Sequence, residues 1–145
     1  MIDQHYRFLS TRRNTQFLFE SQGKQGVVLK IIVFEAIKNE RWNLGFGDFK
    51  DGDVDDSVFT NNHDAAKVIR TVAKTIIVFL ETYPERIIVI IPIDEKRKSL
   101  YNSIFRRYLK EIEPIFEIIG FINDEGELFS SDKMYDSFEL KFKIQ

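Results

Sequence analysis

Residues 86–93 read RIIVIIPI, an apolar run with no polar alternation. A strand of this composition is covered on both faces, so it belongs inside a sheet. At an edge the same window would be an aggregation hazard. A long amphipathic segment leads into it. Ala65, Ile69, Val72, Ile76, Phe79 or Leu80, and Tyr83 recur at helical spacing, while Lys67, Arg70, Thr71, Lys74 and Glu81 form the opposite, wet stripe. Asn61 and Asn62 are natural N-caps and Asp64 suits the positive end of a helix. Pro84 stops the hydrogen-bond ladder. Strand, helix and strand in this order predict a parallel pairing with a right-handed crossover.

The flanking chain reads as strands around that unit. Residues 5–10 and 16–21 alternate ring and polar side chains, and residues 27–37 form a longer strand. In 41–49, Trp42, Leu44 and Phe46 share one face and Asn43, Gly45 and Gly47 the other. Two glycines on one face predict a bulge or an element lying close against the sheet. The acidic stretch 51–56 reads as a hairpin tip and 57–60 as a short strand. A second helix spans 96–112, burying Leu100, Tyr101, Ile104, Phe105, Tyr108, Leu109 and Ile112. Strands follow at 115–122, 127–129 and 137–144. The expected fold is α+β, one domain over 1–145, with a mostly antiparallel, twisted sheet and two main helices in the order β-β-β-β-(β)-α-β-α-β-β.

At 145 residues the chain can bury a core without a metal or disulfide staple. It has no cysteine, which removes thiolate zinc sites and cysteine nucleophiles, and its two histidines, His5 and His63, are far apart. No metal and no cofactor is expected. The net charge of −2 provides no global pull toward nucleic acid or an anionic membrane. The first residues do not read as a secretory signal and no run is long enough to span a bilayer, so the expected location is cytoplasmic.

Two regions carry candidate binding residues. Asn61, Asn62 and His63 precede the first helix, where backbone N–H groups can hold an anion and a histidine can add a proton switch. Capping alone also accounts for the asparagines. Arg97, Arg106, Arg107 and Lys110 make the exposed side of the second helix basic, fit for phosphates or for a partner's acidic surface; a solvated helix face is the bland alternative. Asp51, Asp53 and Asp55 imitate half of a calcium loop. However, Asp56 stands where glycine is needed and Asn62 where the bidentate glutamate belongs. No nucleophile elbow, P-loop or dinucleotide fingerprint is present.

Several segments carry a resemblance: FxFESxGKxG over 17–26, LGFGD over 44–48, DDxVxTNNxD over 55–64, KVIRTVA over 67–73 and the Leu100-Tyr101 pair. They resemble a family of short bacterial proteins of uncharacterised function, which implies one compact domain and brings no activity. The order of elements, with Leu100-Tyr101 and Gly120-Phe121, is similar to the second part of the acetyl-CoA-binding acetyltransferase fold. That family's pyrophosphate loop wants glycines where residues 61–66 read NNHDAA.

The expectation is therefore a non-enzymatic binding or regulatory module with a protein partner or, less favoured, a nucleic-acid partner. The alternative is a degenerate acyltransferase-like enzyme or a CoA- or anion-binding protein.

Overall fold

The computed structural model describes residues 4–24, 26–50, 53–55 and 64–143. Its strands are β1 (Phe8–Thr11), β2 (Gln16–Gly23), β3 (Gly26–Lys38), β4 (Arg41–Lys50), β5 (Asp53–Asp55), β6 (Ile87–Ile90), β7 (Phe116–Ile122), β8 (Glu125–Leu128) and β9 (Ser137–Phe142). The helices are α1 (Ala65–Thr82) and α2 (Glu95–Ile112). The fold is α+β, with hydrogen-bonded strand order β1-β2-β3-β4-β6-β9-β7-β8 and β5 on β4. β1–β2, β2–β3, β4–β5, β6–β9, β7–β9 and β7–β8 pair antiparallel, while β4 and β6 run parallel from Arg41↔Ile87 to Asn43↔Val89. β6 thus lies inside the sheet, as its composition requires. It ends at Ile90, however, and Ile91 and Ile93 are exposed beyond it.

The chain clusters into two compact units, Met1–Glu35 with Leu44–Tyr83 and Ala36–Asn43 with Pro84–Gln145. The first has a phenylalanine core. Phe17, Phe19, Ile32 and Phe34 alternate inward on β2 and β3, and α1 brings Ile76, Phe79 and Leu80 against them. Phe34 and Phe79 stack with ring centres 4.2 Å apart, and Phe17 meets Phe34 edge-on at 6.0 Å. Offset and edge-on aromatic pairs add about 0.5–1.5 kcal/mol each beyond their buried area.

Two expectations are corrected here. Helical spacing puts Thr71 on the wet stripe of α1, yet it is fully buried, as is Thr75. Both hydroxyls are satisfied by donating back to their own helix, to Lys67 O at 2.7 Å and Val72 O at 2.7 Å. A self-satisfied hydroxyl no longer needs water, so helical spacing alone assigns threonine wrongly. The second concerns Gly45. An added Cβ would meet only the Val33 carbonyl oxygen, at 3.7 Å, so among the described residues no element lies close against the sheet at this one of the two glycines.

In the second unit, Phe105 of α2 meets Phe138 of β9 at 4.5 Å, beside the buried Ile88, Phe116 and Leu140. Arg86 lies 3.8 Å over the Trp42 ring. Arg41 and Glu139 make a two-pronged ion pair, with Nε to Oε2 at 2.8 Å and a second contact at 3.3 Å. The β7–β8 hairpin turns through Asn123 and Asp124, both at positive φ (51° and 64°), the geometry of a two-residue turn that matches strand twist.

Gly120 on β7 faces the buried ring of Tyr135, and a Cβ there would overlap that ring. Gly120→Ala is expected to destabilise the fold by about 1–3 kcal/mol, read as a lower urea midpoint at unchanged slope. A midpoint equal to wild type would contradict this packing.

Candidate functional site

Of the candidate residues, Asn61, Asn62 and His63 lie outside the described residues. The described part of that region begins at Asp64, the N-cap residue of α1, and its side chain does not cap its own helix. Its Oδ2 instead accepts from the Tyr6 hydroxyl at 2.5 Å and from Ser21 Oγ at 2.6 Å. A phenol has one proton, and the carboxylate takes it; the Gln22 N–H donates back to the phenol oxygen at 3.0 Å. Burial, then the bond to Asp64, pushes the Tyr6 phenol above its usual value. Tyr6 N–H also donates to Thr71 Oγ1 at 2.9 Å, and Lys67 Nζ sits 4.3 Å above the Tyr6 ring. One tyrosine therefore ties the segment before β1 across the first two turns of α1.

Beside the Tyr6 segment lies an open cleft of about 550 Å³, lined by Gln4, His5, Asp64, Ala65, Ala66, Lys67 and Arg70. The His5 Nδ1 is 2.6 Å from the Tyr6 carbonyl oxygen. A carbonyl only accepts, so Nδ1 carries the proton.

Deeper in the same unit, Lys30 on β3 and Asp48 on β4 form an ion pair of 2.5 Å with side chains only 3% and 5% exposed. Lys30 stands in register with Phe19 and therefore shares its inward face. Charges removed from water this far are tolerated only because they are paired.

In the second unit, α2 begins cleanly. Asp94 is its N-cap, accepting from the Arg97 N–H at 2.8 Å, and that bond holds its carboxyl below the usual carboxylate range. The cations near this end are neutralised locally. Arg97 folds back on Asp94 at 2.7 Å with its side chain 13% exposed, and Lys98 pairs with Asp136 at 2.8 Å. Further along, the helix differs. Between residues 96 and 110 every exposed residue is Lys, Arg or Ser: Lys96, Ser99, Ser103, Arg106, Arg107 and Lys110. Arg106 lies 3.8 Å from the Met134 sulfur, and Arg107 stands over the Tyr108 ring at 5.8 Å. Of the predicted basic residues, Arg106, Arg107 and Lys110 therefore share one exposed surface, and Arg97 leaves it for Asp94.

The loop carrying Met134 is held rigidly. Asn102 is fully buried and reads the Tyr135 backbone in both directions, donating to its carbonyl at 2.9 Å and accepting from its N–H at 2.8 Å. The Tyr135 hydroxyl donates to Glu127 at 2.7 Å and accepts from the Ser130 N–H at 2.9 Å. Burial, then the Glu127 bond, raises the Tyr135 phenol.

A family model spans residues 3–143, nearly the whole chain. The chain belongs to DUF6934, a family of unknown function. No curated protein and no solved structure matches it. Membership in DUF6934 therefore brings no site residues with it, and those named above rest on geometry. Among the described residues no cluster of three His, Cys, Asp or Glu groups is placed to hold a metal ion, and no helix is long and apolar enough to cross a membrane.

Sequence reasoning missed His5, Lys67 and Arg70 as neighbours, along with Tyr6, Ser21, Lys30, Asp48 and Asn102. Lys67 and Arg70 were legible as an i, i+3 pair on one helix face. Nothing local joins them to His5, since that proximity is made by the Tyr6 hydrogen bonds.

Proposed function

We propose that this chain is a non-enzymatic binding module that docks a protein partner with an acidic surface along the exposed side of α2. One observation carries the reading: over about four turns the helix exposes only Lys, Arg and Ser, while the cations at 97 and 98 are drawn aside into local ion pairs. Small serines between the cations let a partner approach closely, and uncompensated charge at a surface speeds and selects encounters with the opposite charge.

Protein is favoured over nucleic acid on two grounds. The whole chain is acidic, with a net charge of −2. Met134, 45% exposed, adds an adaptable apolar thioether beside Arg106, which suits a protein surface better than a phosphate backbone.

A photo-crosslinking side chain at Ser103, with Lys24 as control, tests this in the native host. Ser103 is expected to capture one acidic protein, with capture lost in the Arg106→Glu/Arg107→Glu variant. Nucleic acid captured at Ser103, or the same products from Lys24, would contradict it.

A further inference from the structure

We infer that the cleft between the Tyr6 segment and α1 is a second binding site, for a small organic phosphate. It lies in a different unit from the α2 surface and does not depend on it. Two separate pieces of chain build it: Gln4 and His5 on one side, and residues 64–67 with Arg70 on the other.

The volume of about 550 Å³ is far more than one simple ion fills and lies within the roughly 300–1,000 Å³ range of small-molecule sites. The ligand is therefore an anion carried on a larger body. Lys67 and Arg70 are the cations in the lining, and the His5 ring borders them from the other segment. Among the described lining residues Asp64 is the one carboxylate, and its Oδ2 is already committed to the Tyr6 and Ser21 hydroxyls. Those hydrogen bonds neutralise part of its repulsion toward an incoming anion. A planar guanidinium with a lysine point charge is a common pairing for phosphate oxygens.

Tyr6 is the positioning residue for this cleft. It holds His5 against the helix through its bonds to Thr71 and Asp64, and its ring supports the Lys67 ammonium from below. A preformed arrangement of this kind lowers the cost of ordering the site on binding.

The test is a titration of the full-length, isotope-labelled chain followed by amide chemical shifts, with inorganic phosphate and glycerol phosphate as probes. Glycerol phosphate is expected to produce saturable shifts at Ala65, Ala66, Lys67 and Arg70, at lower concentration than inorganic phosphate. Lys67→Gln and Arg70→Gln, each checked for a wild-type spectrum elsewhere, are each expected to weaken this binding about tenfold. Shifts confined to the α2 surface, shifts that do not saturate, or affinity unchanged in both variants would overturn the assignment. Equal affinity for the two probes would show an ion site without room for an organic body, and would overturn it as stated.

Discussion

Asp48→Ala is expected to cost about 3–5 kcal/mol, more than Gly120→Ala or the loss of either Asn102 hydrogen bond. Lys30 and Asp48 contact each other at 2.5 Å and are almost wholly removed from water. Deleting the carboxylate leaves an ammonium facing Phe19, Ile32 and the rest of the inward face with its counter-charge gone. A domain has only about 5–15 kcal/mol of stability in total, so a loss of this size brings the protein close to unfolding at ambient temperature. Urea denaturation followed by circular dichroism measures it. The paired change Lys30→Met with Asp48→Leu is the informative companion, because it removes both charges and keeps the volume. The double variant is expected to recover most of the loss, since a well-packed apolar pair often equals or exceeds a buried ion pair. A double variant as unstable as Asp48→Ala would contradict this, and would mean that the pair stabilises the fold through its charges and hydrogen bonds rather than through the volume it fills.

The second large effect is expected at Asn102. Its amide satisfies both the N–H and the carbonyl of Tyr135, and neither group has water as a substitute at full burial. Asn102→Leu keeps the size and strands both backbone groups, at about 1–3 kcal/mol each. The loop through Met134 and Tyr135 is then expected to lose its fixed path, which hydrogen exchange at the Tyr135 and Ser130 amides would report. Slow exchange retained at both amides would show that the loop is held by other means. The same variant bears on function, because Met134 borders Arg106 on the proposed partner surface.

These two effects also mark where the sequence stops being readable. Alternation and helical spacing are local signals, and they placed both helices, the main strands and the interior position of β6, whose unbroken apolar run admits few alternatives. They missed β5 at Asp53–Asp55, and the strand expected at 57–60 lies outside the described residues. Lys30 and Asn102 defeat the same signals. A lysine in a strand and an asparagine in a helix read as solvated by default, and only a partner distant in sequence makes burial affordable. For Lys30 that partner is 18 residues away, and for Asn102 it is 33. Asp64 was legible as belonging to a helix start, but not its use by Tyr6 and Ser21, 58 and 43 residues away. The basic residues of α2 were visible as a composition. Which of them stay exposed was settled by Asp94 and Asp136, carboxylates that the helical pattern does not include.

The most direct test of the proposed function is calorimetric titration of the protein captured at Ser103 into three forms of this chain: wild type, Arg106→Glu/Arg107→Glu, and Lys67→Gln/Arg70→Gln. Docking on α2 predicts that reversing Arg106 and Arg107 weakens binding by about tenfold or more, that added salt weakens the wild type, and that the Lys67/Arg70 variant binds as wild type does. Equal affinity for wild type and the Arg106/Arg107 variant, with loss confined to Lys67 and Arg70, would contradict docking on α2.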